Sequence, residues 1–299
     1  MHDPDITTLR LYASVCETGS ISRSAEQASL VGSAISKRLA QLEATVGVPL
    51  LVRRRRGVEP TAAGLTLLEH ARTILASCDR IKRDMAGYAA GVRGQVRILA
   101  TVSAMAESLP GDVADFLRQD AHRDVRIDLE ERLSGDVVRG IRDGVAAIGV
   151  CWDVADFHGL PTIPYRHDHL AVVTHADHPL AAYQQVALAQ TLDYDHVCMA
   201  AGSAVLIMLQ RAAAQEGRVL PQRVTVSNFD SAFRVVQANL AISVVPREVA
   251  LPYAQSHGLK VIGLTDAWAK RRFALCVRDM ATLPPAARSV LEHLSIAGR

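Results

Sequence analysis

A serine–serine–lysine–arginine set at the start of one amphipathic segment has the chemistry to read a nucleic-acid duplex. Ser33, Ser36, Lys37 and Arg38 open a helical stretch running from Ser33 to about Thr45, whose inner face is Ala34, Ile35, Leu39 and Leu42. A helix that enters the major groove needs small or polar groups at its exposed N-terminal end and apolar groups behind. A shorter helical stretch, Ser20 to Ala28, precedes it, with a turn centred on Leu30–Gly32, and places Ser22 beside the same surface. Downstream, Arg53, Arg54, Arg55 and Arg56 sit between the apolar run Val48–Val52 and a turn at Gly57. A run of like charge is most often a solvated face. At the tip of a hairpin next to such a helix it is a wing, and phosphate is its natural partner.

A second set of groups suits a small ligand. Thr101 and Ser103, Ser134, Ser203, and Ser227 with Phe229 each follow an expected strand and open an expected helix. Free N–H groups at helix starts and hydroxyls at the carboxyl ends of strands are where open α/β sheets hold anions. Each serine also reads as a plain N-cap. Arg132 and Trp152 join Phe229 as groups that shape the pocket. No catalytic constellation accompanies them: there is no glycine-rich phosphate loop and no G-x-S-x-G. His167/His169 and His175/His178 have metal-like spacing but no cysteine or carboxylate pattern beside them. The chain is therefore expected to use neither metal nor cofactor and not to be an enzyme.

These residues need elements to hold them. Ile6 to Glu17 reads as a helix completing a three-helix unit, and Val52–Glu59 as the wing. Pro60 and the N-cap Thr61 start a long helix to about Ala90. That helix carries Leu67, Ala71, Ile74, Cys78, Ile81, Met85 and Tyr88 at alternating steps of four and three, the period of a coiled-coil seam, between wet outer faces. A second copy of the same helix is the economical partner. Gly91 and Gly94 read as a hinge. Beyond them Gln95–Thr101, Val125–Glu130 and Val145–Cys151 read as strands alternating with helices at Leu109–Gln119 and Gly135–Asp143, the pattern of a parallel sheet. A second unit begins near His169 and runs through Tyr194–Met199, the helix after Ser203, Val224–Val226, Ser231–Asn239 and Ala241–Val245. The chain returns through Phe273–Val277 to a last helix near Pro285–Ile296.

Composition agrees. The 299 residues are 49% hydrophobic and 21% charged, with a net charge of +2, which is ordinary for a globular chain. The charge is unevenly placed: residues 1–93 hold 13 basic against 9 acidic side chains, and the remainder 20 against 22. The basic excess lies with the expected DNA reader. Five scattered cysteines with no C-x-x-C argue against a disulfide framework or zinc site. The N-terminus lacks a signal-peptide pattern and no apolar run reaches membrane-spanning length, so a cytoplasmic location is expected.

The segments Ser24-Ala25, Leu30-Val31-Gly32-Ser33-Ala34-Ile35-Ser36, Leu42-Glu43, Gly47 to Arg53 and Thr61-Ala62-Ala63-Gly64 resemble the N-terminal domain of the LysR-type transcriptional regulators. Leu109-Pro110, Leu129-Glu130, Asp143-Gly144, His178-Pro179-Leu180 and Ala238 to Pro246 resemble its effector domain. Gly32 departs from the Pro or Gln usual there. Asn239 and Ala241 stand at glycine positions and Ala147 at an aspartate position. The resemblance implies a winged helix-turn-helix (residues 1–60), a dimerising linker helix (61–92) and a periplasmic-binding-protein-like α/β domain (93–299). The last has subdomain I at 93–167 and 267–299 and subdomain II at 168–266. It implies double-stranded DNA and RNA polymerase as partners, a homodimer assembling into a tetramer as a dimer of dimers, and a small-molecule co-inducer, here an organic anion. Two other classes compete: a solute-binding protein of a transporter, and an α/β enzyme with an appended regulatory domain.

Overall fold

The computed structural model describes residues 4–54, 57–89 and 94–297. The chain forms two compact units that part at residues 89–90.

In the N-terminal unit, α1 (Ile6–Thr18), α2 (Ile21–Gln27) and α3 (Gly32–Val46) precede a hairpin of β1 (Leu51–Arg54) and β2 (Gly57–Pro60), and α4 (Ala62–Ala89) follows. Local chemistry sets the boundaries. The Asp5 carboxylate accepts from the Thr8 N–H and the Ser20 hydroxyl from the Arg23 N–H, capping α1 and α2. Gly47, at φ 81°, ends α3 in the left-handed region that costs an L side chain most. Thr61 accepts from the Gly64 N–H at 2.9 Å and caps α4. Tyr12, Ile35 and Leu50 are fully buried at the centre, with Leu39, Leu42 and Leu68 around them. Two buried polar ties fix the hairpin. The Tyr12 hydroxyl donates to the Gly64 carbonyl at 2.8 Å. The Glu43 carboxylate accepts from the N–H groups of Leu50 and Leu51 at 2.7 and 3.0 Å.

The seam on α4 divides. Ala71 is buried and Leu67 leans on the unit's own core, because this stretch of the helix packs against α1. Ile74, Ile81 and Met85 stay exposed, and Cys78 is half-buried. The side chain of Tyr88, and Gly91, lie outside the described residues.

In the C-terminal unit the order is β3 (Gly94–Ala100), α5 (Val102–Ala106), α6 (Leu109–Leu117), β4 (Val125–Glu131), α7 (Ser134–Arg142), β5 (Ile148–Trp152) and β6 (Thr162–His175). Then come β7 (Gln185–Val186), α8 (Leu188–Thr191), β8 (His196–Met199), α9 (Ala204–Gln215), β9 (Gln222–Val226), α10 (Phe229–Gln237) and β10 (Ser243–Pro246). The unit closes with α11 (Arg247–His257), β11 (Leu259–Leu264), β12 (Lys270–Cys276) and α12 (Pro285–Ala297). The sheet runs β4-β3-β5-β12-β6-β11-β7, with β10 also on β6 and β8-β9 a separate parallel pair.

The parallel arrangement read for the first unit holds, since β3, β4 and β5 are parallel, and the sheet beyond them is mixed, with β6 antiparallel to β12, β10 and β11. The structure corrects the sequence reading in two places. The strand expected to begin near His169 begins at Thr162. Its 14 residues pair first with β12 and then with β10 and β11. Gly94 is the first residue of β3 rather than a hinge, where a Cβ would stand 2.5 Å from the Ala286 methyl. Asn239, at a glycine position, does take φ 53°, which asparagine tolerates better than most. Among the described residues no helix is long and apolar enough to cross a membrane.

Candidate functional site

The N-terminal unit offers one polar surface built from α2, α3 and the hairpin. Ser22, Ser33 and Lys37 are exposed and Ser36 is half-buried, while Ile35, Leu39 and Leu42 turn inward. A Cβ at Gly32 would meet only the Ile21 side chain, at an ordinary 3.9 Å. Arg38 leans toward α1, 3.4 Å from the Asp5 carboxylate and 3.3 Å from the Thr8 hydroxyl. In the hairpin, Arg54 is held by Glu59 at 3.0 Å. No ion pair engages the exposed Arg53 among the described residues, and Arg55 and Arg56 lie outside them. Among the described residues Arg53 is thus the hairpin arginine that no carboxylate neutralises. Arg53→Ala is expected to weaken binding to every DNA sequence alike and to flatten the slope of log affinity against log salt by about one unit. Arg54→Ala should do less. An unchanged slope in Arg53→Ala, measured by salt-titrated gel shift, removes the residue from phosphate contact.

The C-terminal unit holds a cavity of about 270 Å³ at the carboxyl ends of its parallel strands. Thr101 and Ser103 come from the end of β3, Ser134 from the end of β4, Trp152 from β5, Ser203 from beyond β8 and Phe229 from beyond β9. Five of the six sequence-derived ligand residues therefore meet there, with Arg132 and Trp152. Ser227 does not: it is exposed, and Asn228 takes the cap of α10 instead, accepting from the Ser231 N–H at 2.9 Å. Ser203 spends its hydroxyl on the Leu206 N–H at 3.3 Å. By contrast the Ser134 hydroxyl is buried with no hydrogen-bond partner among the described residues. Thr101 sits at the cap position of α5 without making the cap bond. A buried polar atom with no partner is costly unless something else supplies one. The helix after Thr101 is only five residues long, so hydroxyls and local N–H groups, more than a helix dipole, are what it offers.

Sequence reasoning missed the floor of this cavity. Arg271 lies under Trp152 and Phe273, its guanidinium 5.7 Å from each ring centre, and pairs with Asp168 directly opposite on β6; both are fully buried. The alternation of charge along Arg166-His167-Asp168-His169 gave no sign that one of them faces inward. Burial pulls Arg271 down to about 10, with Glu107 opposing. Arg132, at the rim, is paired with Glu130. Every arginine at the cavity thus has a carboxylate partner.

Glu107, one turn past Ser103, has a buried carboxylate oxygen without a hydrogen-bond partner among the described residues. Burial raises its pKa from 4.5 to about 7; Arg271 lowers it and Glu248 raises it further. The folded state therefore holds this proton more tightly than the unfolded chain. The stabilisation is complete below about pH 4.5 and is lost as pH rises through about 7. Glu107→Gln is expected to remove that slope, worth on the order of 1–3 kcal/mol across the window. Urea midpoints of the C-terminal unit that follow the same pH course in wild type and variant contradict this.

The histidine pairs do not assemble a metal site: no group of three or more His, Cys, Asp or Glu among the described residues could hold an ion. His178 instead accepts from the Leu180 N–H at 3.2 Å. Cys151 and Cys276 touch in the core, where their mutual hydrogen bond and burial push the Cys151 thiol far up, the opposite of a reactive thiolate.

Comparison with known proteins gives two family matches. Residues 89–297 match a domain described as "LysR substrate binding domain", and residues 6–65 match "Bacterial regulatory helix-turn-helix protein, lysR family". An uncharacterised HTH-type transcriptional regulator of Mycobacterium tuberculosis is 27% identical over 63% of this chain, and the chain spans 62% of that relative's length. The HTH-type transcriptional regulator GbpR of Azospirillum brasilense is 27% identical over 97% of this chain and 85% of its own. Among solved structures, CbnR, a LysR family transcriptional regulator, superposes with a TM-score of 0.69 at 20% identity, covering 99% of each chain. The same protein complexed with its target DNA gives 0.66 at 21% identity, covering 98% of this chain and 99% of that one. At these identities the likeness to CbnR is one of fold.

Proposed function

The chain belongs to the LysR family of bacterial regulators, and from that premise we propose that it binds duplex DNA and alters transcription when a small organic anion enters the cleft of its C-terminal unit. The observation that carries the reading is the joining, in one chain, of a helix-turn-helix bearing an uncompensated wing arginine to a ligand-sized cavity with unpartnered hydroxyls. In this reading Ser33, Ser36 and Lys37 face the major groove, Arg53 a phosphate, and Thr101, Ser103 and Ser134 the ligand. The matched charges at Arg132 and Arg271 favour a compact monoanion recognised by hydroxyls over a polyanion that would need free cations. The protein acts on DNA as a cytoplasmic dimer through the uncovered half of α4, pairs further into a dimer of dimers, and meets RNA polymerase at its promoters. An enzymatic reading is disfavoured because no histidine, lysine or cysteine lines the cavity to activate a serine.

A ligand shifts such a protein only by its differential affinity for two arrangements of the cleft. Ser103→Ala is thus expected to leave DNA binding without effector intact and to raise the effector midpoint by about tenfold, the worth of one hydrogen bond to a charged group. The measurement is transcription from the promoter beside its own gene across an effector titration. A variant with the wild-type midpoint and amplitude takes Ser103 out of the sensing site.

A further inference from the structure

We propose that the C-terminal unit carries a second binding site, for a planar aromatic anion, beside the cleft. It is a cavity of about 660 Å³, against about 270 Å³ for the cleft. Side chains alternate along β12. Arg271 turns toward Asp168 and the cleft, so Lys270 and Arg272 present the other face, opposite His169 and His167 on β6. The second cavity takes Lys270, Arg272 and His167 from that face and shares Arg271 and Trp152 with the cleft. α9 serves both sites: its start reaches the cleft at Ala204 and Val205, and its later turns reach the second cavity at Met208 and Arg211.

Two features select the ligand. The chain has two tryptophans, and both, Trp152 and Trp268, line this cavity. Indole faces favour a flat π-system. The lining also carries cations that no described residue neutralises. Arg272 is spent on Asp153 at 2.9 Å, the one acidic residue in the lining. Arg211 and Lys270 are exposed, and their side chains have no ion pair or hydrogen bond among the described residues. A carboxylate or sulfonate on an aromatic ring meets both requirements at once, its ring against indole and its charge at Arg211 and Lys270. Trp152 and Arg271 line both cavities and form the wall between them. The site is thus a neighbour of the cleft with its own chemistry: free cations and indoles here, neutral hydroxyls there.

The experiment uses full-length protein labelled with 5-fluorotryptophan, whose two fluorine resonances are assigned with Trp268→Phe, and 2-naphthoate as the probe. The Trp268 resonance is expected to shift saturably. The midpoint should rise about tenfold or more in the Arg211→Ala/Lys270→Ala double variant and for the neutral analogue 2-naphthamide, and should stay unchanged in Ser103→Ala. Both substituted residues are exposed, so folding is preserved. The proposal is overturned by no shift of the Trp268 resonance at millimolar probe, by an unchanged midpoint in the double variant, by equal binding of the amide, or by a midpoint that moves with Ser103→Ala, which places the probe in the cleft. None of these outcomes bears on DNA binding.

Discussion

Gly64→Ala is expected to unfold the N-terminal unit at temperatures where the rest of the protein is intact. A Cβ at this position would stand 2.1 Å from the Leu50 carbonyl oxygen and 2.7 Å from the Tyr12 hydroxyl. Neither neighbour can step aside. The Leu50 oxygen accepts from the Thr61 N–H at 2.9 Å, and its N–H is held by Glu43. Tyr12 is fully buried and its hydroxyl is committed to the Gly64 carbonyl. The methyl must therefore push α4 off the hairpin, losing a buried hydrogen bond as well as packing, for a total of roughly 3–5 kcal/mol. In a domain of this size that lowers its melting temperature by roughly 15 °C or more. Calorimetry of the full-length protein resolves the effect, with Gly111→Ala as the control, since a Cβ there meets nothing within 4 Å. A first transition at the wild-type temperature disproves the close approach of α4 to the hairpin.

Ile81→Asp is expected to abolish the proposed dimer. Ile74 is 43% exposed, Ile81 61% and Met85 56%, one apolar row on a helix whose other half is already covered by α1. An aspartate at the centre of two such rows has to be desolvated without a partner, which weakens association by about a hundredfold or more. Affinity for a two-half-site operator falls with it, because the second half-site is no longer held at high effective concentration. Ile81→Leu should keep both. Sedimentation velocity decides the matter: an undiminished dimer in Ile81→Asp moves the contact to another surface. Because Ile81 is exposed in the single chain, the variant should melt as wild type does, which separates lost assembly from lost folding.

What was legible in the sequence is what local chemistry dictates. Thr61 announces the start of α4 through a cap that acts within a few residues, and the apolar spacing of α3 identifies its inner face without knowledge of what it packs on. The cleft hydroxyls were accessible for the same reason, since a serine or threonine after a strand sits where strand ends converge. Ser227 shows the limit of that logic: one residue later, Asn228 makes the better cap, and the serine turns to the surface. Non-local facts were hidden. The length of β6 was masked by Pro164 and the polar run that follows, because its inward carboxylate, Asp168, is made tolerable only by Arg271 from a strand far along the chain. α11 was masked by Pro252 in its interior, and β11, which packs with it, went unread. The linker seam was read as one stripe because periodicity alone does not say which half of a helix its own domain will cover.

The two N–H groups held by Glu43 join the end of α3 to the first strand of the hairpin. With the Val58 N–H bonded to the Gly19 carbonyl at 3.0 Å on the other strand, the hairpin is pinned from both sides. The separation between α3 and the strands β1 and β2 is then a constant of the protein, a caliper with its jaws locked. A duplex whose groove width departs from that opening has to deform, and the work of deforming it depends on stacking along base steps that no side chain touches. In the proposed DNA complex part of the sequence preference is therefore stored in the stiffness of a glutamate bridge, and should be lost in Glu43→Ala as a blurring between sites of unequal groove width and identical contacted bases.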